Sequence, residues 1–158
     1  MDRIEYLASL PRKRAAASVL FFDESDRILL VEPTYKNHWE LPGGVIEADE
    51  SPRAAAIREI AEELSLTISP DRLLAVDWVP PTPQRTEGLI FVYDGGALTP
   101  AQRDSIRLPA DELRSWAWCD DHEAIARLTD LLARRAIAAR HARAAGFTTY
   151  LEDGFPPA

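Results

Sequence analysis

The sequence is most informative at first through what it lacks. It contains a single cysteine, Cys119, which rules out an internal disulfide and any multi-cysteine zinc or iron–sulfur centre. No apolar stretch reaches bilayer length. The longest, Ala15 to Phe22, is interrupted by Ser18 and falls far short of the roughly 20 residues a membrane helix needs, so no membrane partner is expected. Positive charge is not in excess either. Lys plus Arg total 18 against 26 Asp plus Glu, a formal net charge of −8, whereas general nucleic-acid and anionic-membrane binders carry a cationic footprint. No nucleic acid is expected as a partner. Internal repeats, low-complexity tracts and linker-like stretches are missing from the 158 residues, so a single domain over 1–158 is the expectation. The opening residues, with Asp2, Glu5 and a break at Pro11, do not have the basic-then-apolar layout of a secretion signal. A soluble cytoplasmic protein follows as the default.

What is present suits a packed core under a solvated surface: 46% hydrophobic and 28% charged residues. Ala15–Phe22 reads as a buried strand, Asp23–Asp26 as a turn and Arg27–Glu32 as a second strand of a hairpin. Pro33–His38 is a polar loop, and Trp39-Glu40-Leu41 a short extended piece halted by Pro42-Gly43-Gly44. Ser51 and Pro52 are good N-cap and first-turn residues for a helix. On that helix Ile57, Ile60, Ala61 and Leu64 share one face and Glu59, Glu62 and Glu63 the other. Arg72–Val79 and Leu89–Tyr93 read as strands around a proline-rich loop, Asp94-Gly95-Gly96 as a turn, Leu108–Leu113 as irregular and Trp116–Cys119 as a last strand. A long helix from His122 to about Ala145 closes the chain, with Ile125, Leu128, Leu131, Leu132 and Ile137 as inward positions and a solvated arginine face. A second copy of the chain, giving a homodimer, is the alternative cover for that face. Strands and helices in this order predict a mixed sheet with helices on its faces, an α/β class.

Three glutamates on one helical face call for an explanation. Glu59, Glu62 and Glu63 stand at i, i+3 and i+4, where like charges repel by about 0.2–0.5 kcal/mol per pair. A divalent cation reverses that repulsion, and all-oxygen ligands favour Mg²⁺ or Mn²⁺ over Zn²⁺. An ordinary solvated acidic face is the competing explanation. Gly43-Gly44 stands just before the helix, where bare backbone can approach an ion or phosphate. Glu50 stands at the helix entrance, and an Arg58–Glu50 pair would tie loop to helix.

Taken together, Gly44, Glu50, Arg58-Glu59-Ile60, Glu62-Glu63 and Leu66 form a pattern that resembles the box of the MutT-like Nudix hydrolase family, G-x5-E-x7-R-E-U-x-E-E-x-G-U with U aliphatic. Ser65 stands where the family has glycine; a left-handed helix end there costs serine roughly 1–2 kcal/mol and removes no metal ligand. The resemblance implies an α/β/α sandwich with a mixed central sheet that hydrolyses a nucleoside diphosphate linked to another moiety. It implies that Glu59, Glu62, Glu63 and the Gly43 carbonyl hold Mg²⁺ or Mn²⁺, that Arg58 orients carboxylates, and that Gly44 and Glu50 are structural. The general base in the family varies, with Glu59 or Glu112 as candidates here and Glu87 as a weaker one.

Substrate contacts are sought among Arg14, Lys36 and Trp39, although Trp39 also suits packing and the Arg12-Lys13-Arg14 run a solvated strand end. His38 reads as a solvated loop residue and Cys119 as buried packing. Pro81, fifteen residues after Leu66, resembles a proline position of ADP-ribose-cleaving members, while a turn explains it equally. The expected substrate is a nucleotide sugar such as ADP-ribose, or a nucleoside triphosphate. The alternative is a nucleotide-sensing module of the same fold that does not cleave.

Overall fold

A computed structural model describes residues 1–158. In chain order it forms α1 (Arg3–Ser9), β1 (Arg14–Phe22), β2 (Ile28–Pro33), β3 (Gly43–Val45), α2 (Pro52–Leu64), β4 (Leu73–Val79), β5 (Gly88–Ala97), α3 (Pro100–Asp104), β6 (Leu113–Cys119), α4 (Asp121–Arg127), α5 (Asp130–Ala145) and β7 (Thr149–Glu152). The sheet runs β6-β2-β1-β5-β4-β7, with β3 paired to β1 off that path. It is mixed, since β1–β5 and β4–β7 are parallel and the other pairs antiparallel.

The apolar run in β1 places it at the centre. A strand covered on both faces needs consecutive hydrophobic residues rather than alternation. Ala17, Val19 and Phe21 join Ala55, Ala56, Ile60 and Leu64 of α2 in one core. Leu20 and Phe22 point the other way, into a second core with Ala124 of α4 and Ala133, Ala136 and Ala139 of α5. Helices therefore cover both faces, and the expected α/β/α sandwich is the observed architecture. Within α2 the buried stripe is Ala55, Ala56, Ile60 and Leu64; Ala61, expected inside, is exposed and Ile57 only half-buried. Its ends match the reading. Ser51 Oγ accepts from the Ala54 amide at 3.1 Å, and Ser65 takes the left-handed position at φ 59°, its hydroxyl donating to the Arg107 carbonyl at 3.0 Å.

Four segments differ from expectation, each for a physical reason. Gly43-Gly44 does not halt the chain but forms β3 against β1, because absent side chains allow a closer approach than a turn requires. Asp94-Gly95-Gly96 lies within β5, which stays paired to β1 through a register shift opposite Leu20 and Phe21. The Trp116–Cys119 strand begins earlier and is not the last; β7 follows α5 and pairs with β4. The long closing helix is two, broken where Thr129 caps α5 by accepting from the Leu132 amide.

The inward face of α5 is made of alanines, which let it lie close to the sheet, while Ile125 of α4 is 57% exposed. The arginine face is not free in solvent. Arg140 pairs with Asp121 at 2.6 Å, Arg143 with Asp94 at 3.0 Å, and Arg134 stacks on Phe155. Arg135 is 5% exposed and reaches Asp77, which is fully buried, at 2.7 Å. The second Asp77 oxygen accepts from the Gly154 amide at 3.0 Å, tying β4, α5 and the tail after β7 together.

Removing one member of such a pair strands the other, at about 3–5 kcal/mol. Asp77→Ala should therefore lower the urea midpoint at constant slope, by an amount equivalent to that range. A shift equivalent to less than about 1 kcal/mol would mean that the pair does not hold β4 to α5.

Candidate active site

The sheet leaves an opening where it needs one. β1 and β2 meet only at Phe22 and Ile28, and the segment 39–45 enters the gap between them. Glu40 bridges to Val31, the Val19 amide donates to the Pro42 carbonyl, and β3 then lies along Ala16–Ser18. Glycine is required at 43 in this wedge and lets Glu59 approach at 44. A Cβ on Gly43, whose φ is +149°, would fall 2.2 Å from the Ala17 carbonyl oxygen, and one on Gly44 would fall 2.4 Å from the Glu59 carboxylate. The carboxylate of α2 thus reaches the backbone of β3 directly.

Arg58 locks that arrangement. Its Nε and Nη2 donate to the two Glu50 oxygens at 2.8 and 3.0 Å, Nη2 also donates to the Val45 carbonyl at 3.0 Å, and Nη1 donates to Glu59 at 2.9 Å. The fork geometry of guanidinium suits such bidentate pairing. The arginine holds the Glu50 carboxyl down to about 2, and Glu50, followed by Glu59, raises the Arg58 pKa further. Arg58 and Glu50 are accordingly placed as the positioning pair that their spacing implies.

The acidic groups themselves divide. Glu59, Glu63 and Glu112 all line one cavity of about 420 Å³, together with Gly43, Gly44 and Lys36. Glu63 is half-buried there with one hydrogen bond, from the Gly43 amide at 3.4 Å. Burial, reinforced by the negative charges of Glu59, Glu40 and Glu112, pushes its carboxyl up to about 8. Burial likewise raises Glu59, against the lowering effect of Arg58. Glu62 does not join them: its side chain is 58% exposed and lies 3.4 Å from Arg58 on the outer side. As placed, no three acidic, imidazole or thiol groups form a closed metal cluster. The donors available are nevertheless all oxygen, and a half-buried carboxyl raised by three neighbouring carboxylates, with no cation bonded to it, is the chemistry that a hard divalent ion relieves.

Glu112 reaches the cavity because Thr34 ties its loop to the end of β2. The Thr34 amide donates to the Glu112 carbonyl at 2.9 Å and its hydroxyl to the Asp111 carbonyl at 2.8 Å. Glu87 is engaged elsewhere, paired with Lys13 and accepting from the Trp78 indole at 2.8 Å, so it is not available as a base. Arg14 lines a second, adjoining cavity of about 270 Å³. Trp39 lines neither; the Arg127 guanidinium stacks 4.4 Å from its ring centre and it packs on the core, which corrects its reading as a substrate contact. His38 turns Nδ1 to the Trp39 carbonyl at 3.0 Å. Cys119 is buried beside Arg127, as packing. Arg135 and Arg85, which also wall the second cavity, were not legible as site residues, since one reads as a helix-surface arginine and the other as a loop charge.

Comparison with known proteins agrees with this geometry. The NUDIX domain family model matches residues 12–141. A MutT-like protein of Streptomyces ambofaciens is 32% identical over 76 residues, 48% of this chain and 49% of that protein. Diphosphoinositol polyphosphate phosphohydrolase 2 of Homo sapiens is 38% identical over 66 residues, covering 41% of this chain and 37% of its own. The chain thus matches half or less of the length of these relatives. The crystal structure of a MutT protein from Methanosarcina mazei Go1 superposes with a TM-score of 0.68 at 19% identity, over 87% of this chain and 99% of that one.

The Glu50–Arg58 pair has a definite pH signature. A carboxyl held at about 2 when folded and near the ordinary 4.3 when unfolded contributes stability at pH above the unfolded value. That contribution disappears as pH falls through the folded one. Glu50→Gln should therefore be less stable than the parent at pH 7, with the gap closing between about pH 4 and 2 in denaturant titrations. A gap of constant size across that window would show that the ionised pair is not its source.

Proposed function

The chain belongs to the NUDIX family, and from that premise we propose that it hydrolyses a phosphoanhydride bond in a nucleoside diphosphate linked to another moiety. The observation that carries this reading is the half-buried Glu63 carboxyl, raised to about 8 and without a cationic partner, facing Glu59 and Glu112 across a cavity floored by glycine backbone. Glu59 and Glu63, with the Gly43 backbone, are the residues that would hold Mg²⁺ or Mn²⁺; Glu62 joins them by a rotamer change away from Arg58. A bound divalent cation would neutralise charge on the non-bridging diphosphate oxygens. Everything else falls to the chain. Arg58 fixes the Glu59 carboxylate and opposes the rise that burial imposes on its pKa. Glu112 accepts a proton from the attacking water, whose oxygen bonds to phosphorus as the bridging P–O bond breaks and the other half departs as a phosphate. Lys36, on the rim and paired with Glu40, presents positive charge to the anionic chain.

The substrate range to try includes ADP-ribose, other nucleotide sugars and nucleoside triphosphates. A panel of these, with products identified, should show hydrolysis with Mg²⁺ or Mn²⁺ and none in chelator. Glu59→Gln and Glu63→Gln should each lower turnover by about a hundredfold or more, the scale of losing transition-state charge stabilisation. Unaltered turnover in both would remove these carboxylates from the chemistry. Glu112→Gln should reduce kcat while leaving divalent-ion affinity intact; an unchanged kcat would assign the base elsewhere. Binding of the panel without turnover would return the sensing-module reading.

A further inference from the structure

The cleft has a second half whose charge is opposite to the first. The 270 Å³ cavity shares Lys36, Glu40, Ile90, Leu132 and Arg135 with the acidic one, so the two are continuous. Its walls carry Arg14, Lys36, Arg85 and Arg135, with Glu40, Thr129 and the His38 imidazole, on an aliphatic background that includes Val79 and Leu131. Cationic groups outnumber the other polar side chains here, which favours an anionic group over a neutral base or sugar.

Two of these four cations are paired and two are not. Glu40 pairs with Lys36 and Asp77 with Arg135, which leaves Arg14 and Arg85 without a carboxylate partner. Arg14 is fixed all the same. Its Nε donates to the Thr86 carbonyl at 3.0 Å and its guanidinium lies over Gly88, close enough that a Cβ there would meet Cζ at 3.1 Å. Arg85 is set by a tight turn in which its amide and carbonyl both pair with Thr82. Arg135 is the most telling. It is 95% buried, yet only Nε is bonded within the protein, to Asp77. No wholly enclosed polar atom lacks a partner, so its two Nη atoms open onto the cavity that the residue lines. Arg85 repels it from across the lobe. A fixed guanidinium whose Nη1–Nη2 edge is free is a geometry for phosphate.

We propose that this basic lobe binds a second phosphate group, so that the substrate is a diphosphate carrying at least one further phosphate beyond the bond that is cleaved. The proposal rests on the hydrolase reading for its substrate, but the lobe can be tested apart from it. The extra phosphate has two sources, an ester on the attached moiety or an extension of the phosphate chain.

Calorimetry in chelator with inorganic tripolyphosphate probes the lobe without chemistry. The double variant Arg14→Ala/Arg85→Ala changes two exposed side chains and should weaken binding by about tenfold or more, the scale of lost hydrogen bonds to charged groups. Equal affinity in parent and variant, or no binding to the parent, would overturn the proposal. With divalent ion present, ADP-ribose 2′-phosphate or ATP should show a KM at least tenfold below that of ADP-ribose, and the double variant should erase that preference. Preference for the ring phosphate identifies the ester source, and preference for ATP the chain. A parent that favours unmodified ADP-ribose, or a preference that survives in the variant, sinks the proposal. If tripolyphosphate binds through the lobe and no compound is hydrolysed, the hydrolase reading fails while the second phosphate site stands.

Discussion

The close approach of β3 to its neighbours is the constraint on which the rest of the site depends. Because Gly43 and Gly44 have no side chains, three residues of strand lie along β1 and beside the acidic face in the C-terminal half of α2. That passage carries the Gly43 amide to Glu63 and the Glu59 carboxylate to within touching distance of backbone. A larger residue at 43 would collide with the β1 backbone, and one at 44 would displace the Glu59 carboxylate from the strand. Arg58 then converts proximity into fixed geometry, since one guanidinium spans Glu50, Glu59 and the Val45 carbonyl. Crowding Glu63 among other carboxylates, with its carboxyl raised to about 8, is a cost the fold tolerates at this one place.

On the opposite face the same logic runs through different residues. Small side chains on α5 admit it closely to the sheet, and the space that remains is filled by Arg135 on Asp77. A buried ion pair is weak evidence for stability, and here it aims a guanidinium. The two cores on either side of β1 therefore each deliver one kind of charge to the same opening: carboxylates from α2, and guanidinium from α5.

How much of this was written locally in the chain decides how much of it was legible. The α2 helix, its Ser51 cap, its left-handed Ser65 end and the Glu50–Arg58 pair are all matters of spacing within a few turns, and all are as the sequence implies. Glu62 was counted with Glu59 and Glu63 because residues at i and i+3 share a side of a helix. The structure separates them, since Arg58 draws Glu62 outward. The glycines at 43–44 and 95–96 read as breaks because their role depends on strands distant in sequence. Arg135 was invisible for the same reason: its partner lies 58 positions away. The core of α5 was sought in its leucines and isoleucine, whereas close packing on a sheet selected its alanines. The Thr129 cap, by contrast, was a local signal passed over in favour of one long helix.

The reversal of charge along the cleft gives it a polarity. A long anion drifting in from solvent feels a torque from carboxylates at one end and guanidiniums at the other before it touches either. Its heading is then settled during approach, within the roughly 8 Å over which charge is felt at physiological ionic strength. Which end of an unevenly charged molecule leads into the cleft becomes a matter of electrostatic orientation more than of shape.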